Sequence, residues 1–194
     1  MIEYKIDYSG EPHKELELIG RKGFKNIWRV YWGEETETNP RTVQDENTEE
    51  IKTYITKYVE VEKPISETPS AISIIQELVT DEITKYDTSE NVNSFSLNGL
   101  TVWLDKDTRV GLMNSTTIQK NAGLETSVLW LGTMALEVPC DQAIQLLSAL
   151  EIYALDCFNV TAEHKKNILT LDSIDDLVNY DYTKGYPEKL VMNV

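Results

Sequence analysis

Asp105 and Asp107, within the run TVWLDKDTRV from Thr101 to Val110, are the first residues whose types and spacing could do chemistry. Apolar residues that deliver Asp-x-Asp to the end of a strand are how aspartate-based phosphotransferases set a nucleophilic carboxylate beside a magnesium ligand. On that reading Asp105 attacks, Asp107 assists, and Asp175 and Asp176 serve as distal ligands of a metal-dependent phosphohydrolase. The spacing speaks against it. The phosphotransferase pattern is Asp-x-Asp-x-Thr, whereas here the fifth position is Arg109 and Thr108 falls one place early. An architectural use is simpler: Asp105 caps a helix expected over 106–121, Asp107 sits at the positive end of its dipole, and Asn121 and Gly123 end it.

Two other groups invite chemistry. Asp172, Asp175 and Asp176 could offer oxygen ligands to magnesium, or could act as the cap and first-turn acids of a short helix over 172–180. Cys157 and His164 lie seven residues apart, which on one helix separates them by about 10.5 Å at a rise of ~1.5 Å per residue. That is too far for direct proton transfer, so the pair is expected to be a buried thiol and a surface histidine. With two cysteines and two histidines in 194 residues, neither a zinc cluster nor a disulfide framework is expected. No metal, cofactor or catalytic residue is assigned.

The elements that must position these residues follow from pattern. Asn98-Gly99, between the apolar runs FSL and LTVWL, accepts positive φ at both central positions of a type I′ turn and predicts a hairpin. Leu100 to Leu104 is then the return strand of an antiparallel pair, not the parallel strand from which a nucleophilic aspartate projects. SVLWLG and MALEV form a second apolar pair around Gly132-Thr133. Over 141–158, Ala143, Leu146, Leu147, Leu150, Tyr153, Ala154, Cys157 and Phe158 recur at helical spacing, with Ile144, Ile152 and Leu155 widening the stripe, so this helix is expected to be central. Thr161 is read as a further cap, of a helix either continuous with the first or bent at Asn159.

Earlier in the chain the period is two. EYKIDYS, HKELELIG, GFKNIWRVYWG and EIKTYITKYVEVE alternate apolar with polar residues, as half-buried antiparallel strands do. The polar segment 34–50 between the last two reads as a loop. Thr68 and Pro69 read as the cap and first residue of a helix of about 18 residues. The expected organisation is α+β: a small β-rich domain over 1–65, then 66–194 as helices with two hairpins packed on the 141–158 helix. Trp28 and Trp32 share a strand parity and Tyr31 points to the other face. One face is expected to be core. The other is a candidate partner-binding surface, so Trp28, Tyr31 and Trp32 are the candidate site.

Charge narrows the class. Lys plus Arg number 18 against 33 Asp plus Glu, a net charge of -15, which repels phosphate backbones and anionic lipid, so neither nucleic acid nor membrane is expected as a partner. MIEYKIDYSG has no basic or apolar leader pattern, and no unbroken apolar run reaches about 18 residues, which gives a cytoplasmic expectation.

The segments VNSFSLNGLTVWLDKDTRVGLMNS, TSVLWLG, AIQLLSALEIYALDCFNVTAEH and YDYTKGYPEKL together resemble the phage and prophage domain of unknown function 4376 (DUF4376) over roughly residues 68–190. The resemblance implies a structural or assembly module of a tailed phage, encoded near tail-fibre and baseplate genes. Its partners would be phage tail or fibre proteins or further copies of itself, and its location the bacterial cytoplasm or the virion. The family brings no catalytic residue to carry over.

Overall fold

The computed structural model describes residues 2–42 and 48–193. It divides into two compact units, 1–82 with 167–180 and 83–166 with 181–194. The expected boundary near residue 65 therefore falls inside the first unit. Both strands and helices are present, with the antiparallel sheet first, so the chain is α+β.

The first unit is built on a four-stranded antiparallel sheet of order β1-β4-β3-β2. Its strands are β1 (Lys5–Ser9), β2 (Leu16–Lys22), β3 (Lys25–Thr42) and β4 (Thr48–Pro64). The segment 34–50, expected as a loop, is strand in its described part: β3 and β4 stay paired from Glu35 opposite Ile55 to Thr42 opposite Thr48. Residues 43–47 lie outside the described residues. The outer stretch shows no two-residue apolar period because the described side chains from Gly33 to Thr38 are all exposed, and alternation reports burial, not pairing.

Helix α1 (Ala71–Asp87) follows. Its cap is Ser70, not Thr68. Ser70 and Ser73 exchange backbone N-H to Oγ bonds at 3.0 and 3.1 Å, a reciprocal box that satisfies two otherwise free donors. Gln76 donates to the carbonyls of Ile168 and Leu171 at 3.2 and 3.1 Å, tying α1 to the returning segment of its own unit. There the short helix α4 (Ile174–Val178) is capped by Ser173 and not by Asp172, with Asp175 and Asp176 in its first turn. Val30, Val59, Ala71, Ile74, Ile75, Val79, Ile168, Ile174 and Leu177 are the buried aliphatic side chains described in this unit, joined by the rings of Tyr31 and Trp32.

In the second unit β5 (Ser94–Leu97) and β6 (Leu100–Trp103) form the predicted hairpin, with φ of 49° at Asn98 and 81° at Gly99. Helix α2 (Lys106–Asn121) ends in a Schellman turn: Gly123, at φ 83°, donates to Lys120 and Leu124 donates to Gln119. Strands β7 (Thr126–Leu131) and β8 (Met134–Pro139) make the second hairpin. Helix α3 (Cys140–Ile168) is continuous through Asn159. By length and composition α3 is long and apolar enough to cross a bilayer, a test that the core helix of a soluble protein also passes. Finally β9 (Val191–Met192) pairs in parallel with β5, an element with no local signature in the sequence.

One contiguous core joins these parts: Phe95, Leu97 and Val102 from the first hairpin, Leu129, Leu131 and Val138 from the second, Met192, and Ala143, Leu147, Leu150, Tyr153 and Cys157 from α3. The stripe on α3 is narrower than its sequence suggests, because Ile152, Leu155 and Phe158 are exposed. Nor is Thr161 a cap. It is buried within the helix, donates to Asp87 Oδ1 at 2.7 Å and lies 2.9 Å from the Tyr186 hydroxyl.

Candidate functional site

Asp105 stands where β6 gives way to α2, and both of its carboxylate oxygens are used. Oδ1 accepts from the Thr108 backbone N-H at 2.8 Å, and Oδ2 accepts from the Thr108 hydroxyl at 2.7 Å. The N-H first, and the hydroxyl after it, hold this carboxyl below the ordinary range. Asp107 lies in the first helical turn. The sheet that delivers Asp105 is an antiparallel hairpin at this point, so the carboxylate does not project from the edge of a parallel array.

Arg109 is buried. Its Nε donates to Glu151 Oε1 at 2.8 Å and its Nη1 to the Leu104 carbonyl at 2.8 Å, so one guanidinium joins α2, the connection that leads into it from β6, and α3. Cys157 is fully buried and its thiol is pushed up by that burial, which disfavours the thiolate. His164 is partly covered, with Nε2 2.9 Å from the Lys184 carbonyl and its ring beside Tyr186. Tyr153, pushed up to about 12 by burial, donates to the Ser94 carbonyl at 3.2 Å. Among the described residues no three His, Cys, Asp or Glu side chains converge to hold a metal ion. Asp105 and the Asp175-Asp176 pair belong to different units.

The aromatic trio is largely spent within the first unit. Tyr31 is 4% exposed and stacks on His13 with centroids 4.1 Å apart, while His13 Nε2 lies 2.8 Å from Asp7 Oδ2. Trp32 is 8% exposed and meets the edge of Tyr4. Trp28 is half-buried. The parity assigned to them holds, but the connection from β1 to β2 brings His13 over the face on which Tyr31 lies, and composition gives no sign of that cover.

Exposed apolar side chains lie elsewhere. In the first unit Tyr4, Ile6 and Tyr8 line one face along β1, and Phe24, at the turn before β3, is 91% exposed. In the second unit Val128 and Trp130 form the outer face of β7, with Trp130 60% exposed, and Ile152, Leu155 and Phe158 run along α3. The α3 row is legible in the sequence as part of an apolar stripe, but helical spacing alone does not say which part of a wide stripe is covered. Compared with family models, with curated proteins and with solved structures, the chain matches none.

Proposed function

We propose that this chain is a non-enzymatic protein of the phage or prophage tail region, a structural component or tail-fibre assembly factor that acts by protein-protein binding. Its partners are tail or fibre proteins and further copies of itself. It works in the cytoplasm of the bacterial host, with the virion as its second location, and takes no cofactor. The observation that carries the reading is the pair of apolar surfaces on the second unit, Val128 with Trp130 on the outer face of β7 and Ile152, Leu155 and Phe158 on α3. Large exposed side chains grouped on regular elements are what interfaces use, and water disfavours leaving them open. Delivery of Asp105 by an antiparallel hairpin to a helix cap, where it accepts from the Thr108 N-H and hydroxyl, supports the non-catalytic half, since an aspartate nucleophile of that type projects from the edge of a parallel sheet. A net charge of -15 fits protein partners better than nucleic acid or lipid.

Mass spectrometry of purified particles and of the lysate that yields them tests the reading. Presence in particles supports a structural component, and presence in lysate bound to a fibre protein supports the assembly role. A chain that associates with neither sinks both. The rival phosphohydrolase is tested by Asp105→Asn, which would abolish turnover of a phosphate ester by such an enzyme but leaves a capped helix almost unchanged.

A further inference from the structure

Strand β2 ends its pairing with β3 early. The last bond on that side runs from the Tyr31 N-H to the Glu15 carbonyl at 2.9 Å, after which the chain turns away and His13 stacks on Tyr31. From Gly33 onward β3 continues to Thr42 with β4 on one side and, among the described residues, no strand on the other. A register shift between Trp32 and Glu35 marks where this open edge begins. Alternate residues along it turn backbone N-H and C=O groups outward, and an open row of this kind is a template for one more strand. Pro40, with no N-H, interrupts the row, so the usable edge is 33–39. That is seven residues, or about 23 Å at ~3.3 Å each.

A polar cleft of about 260 Å³ lies at the start of this edge, lined by Glu15, Tyr31, Trp32, Gly33, Asp172 and Asp175 among others. Its carboxylates come from two separate segments, while the strand from 33 to 39 carries Glu34, Glu35 and Glu37 and no base. On the neighbouring strand, Lys57, opposite Trp32 near the cleft, is directed over the Tyr4 ring, and Lys52 lies opposite Thr38 at the far end of the edge. A second copy of this chain is a poor occupant. Two such edges laid together would set glutamates opposite or diagonal to glutamates, in a molecule whose net charge is already -15.

We propose that the edge 33–39 and its cleft take an extended, basic peptide segment of a partner protein by strand addition. Backbone bonds to β3 hold the segment, and a lysine or arginine at its end enters the cleft between the three carboxylates and the aromatic pair. This inference rests on the reading of the chain as a binding protein and names the chemistry of one partner.

A fluorescein-labelled octapeptide alternating lysine with valine, titrated into the full chain and followed by anisotropy, tests it. Binding is expected to weaken about tenfold when Glu15→Gln, Asp172→Asn and Asp175→Asn are combined, the scale of a few lost charge contacts. It is also expected to fall away in salt that shortens the Debye length to about 3 Å. An octapeptide alternating lysine with proline keeps the charge but cannot add a strand, and should not bind. The proposal is overturned if that peptide or spermine binds as tightly, or if the triple variant, with an unchanged urea midpoint, binds as the parent does. A triple variant that enters particles normally but binds the peptide as the parent does would overturn this inference and leave the tail reading standing. Peptide binding by a chain that never associates with tail proteins would do the reverse.

Discussion

Both units bury apolar side chains, but they differ in what surrounds them. In the second, one apolar core runs under both hairpins onto α3, and its polar contacts, Tyr153 to Ser94 and Arg109 to Glu151 and Leu104, are set into or against it. In the first, the longest strands leave the sheet as a two-stranded ribbon. Much of what decorates that sheet is aromatic stacking and exposed ion pairing: His13 on Tyr31, Arg29 over Tyr58 at 4.5 Å, Lys22 and Lys25 on Glu62. Burial of apolar area stabilises steeply and resists salt, whereas exposed pairs contribute little and are screened. Substitutions should therefore cost far more in the second unit than on the charged rim of the first.

The largest effect is expected from Phe95→Ala, which empties a fully buried site beside a small apolar recess of about 10 Å³ lined by Phe95, Leu129, Leu147 and Met192. A loss of about 3–5 kcal/mol is expected for deletion of such a ring, read from the urea midpoint of the unfolding transition of that unit. An unchanged midpoint would break the contrast. Arg109→Ala should come next, at about 1–3 kcal/mol, because it leaves the Leu104 carbonyl and the half-covered Glu151 carboxylate without their donor. Arg109→Lys should recover part of this, since one ammonium cannot reproduce both bonds in the same geometry.

A smaller effect concerns pH. Asp181 is held at about 2 by the Thr183 hydroxyl, Lys184 and the Thr183 N-H, and Asp105 is held below the ordinary range by Thr108. Carboxyls depressed on folding bind fewer protons than in the unfolded chain. Their contribution is complete above the unfolded value of about 4 and is lost as pH falls through the folded value. Carbon NMR titration of the carboxyls should place Asp181 lowest, and Asp181→Asn should flatten the acid limb of the stability curve between those two values. The smallest effect is expected from Glu62→Gln, which removes both exposed lysine pairs of the sheet rim and should leave the melting curve unchanged within error. A clear loss there would show that the charged rim matters more to the first unit than its exposure suggests.

What could be read from the sequence was what short-range chemistry decides. Asn98-Gly99 has one good use, and Asp105 three residues before a threonine is a capping geometry; the structure contains both. What escaped was decided at a distance. Thr161 matches a cap by its neighbours, yet its hydroxyl is claimed by Asp87, 74 residues earlier. Two residues, Val191 and Met192, become a strand only because β5 offers an edge. From Gly33 to Thr38 the described side chains of β3 are exposed, so this part of the strand lacks the alternation that marks one. Of the candidate surfaces, the aromatic trio was visible but its covering by His13 was not, and the cleft beside Gly33 depends on α4 arriving from 140 residues downstream.

The late pairing of β9 bears on how this protein is made. Phe95 and Leu97 leave the ribosome long before Met192, with which their strand must close. At about 5–20 residues per second, the intervening synthesis lasts on the order of 5–20 s. During that interval the nascent chain carries an open, greasy hairpin, so its yield in a cell should depend on chaperone capacity more than its finished stability would suggest.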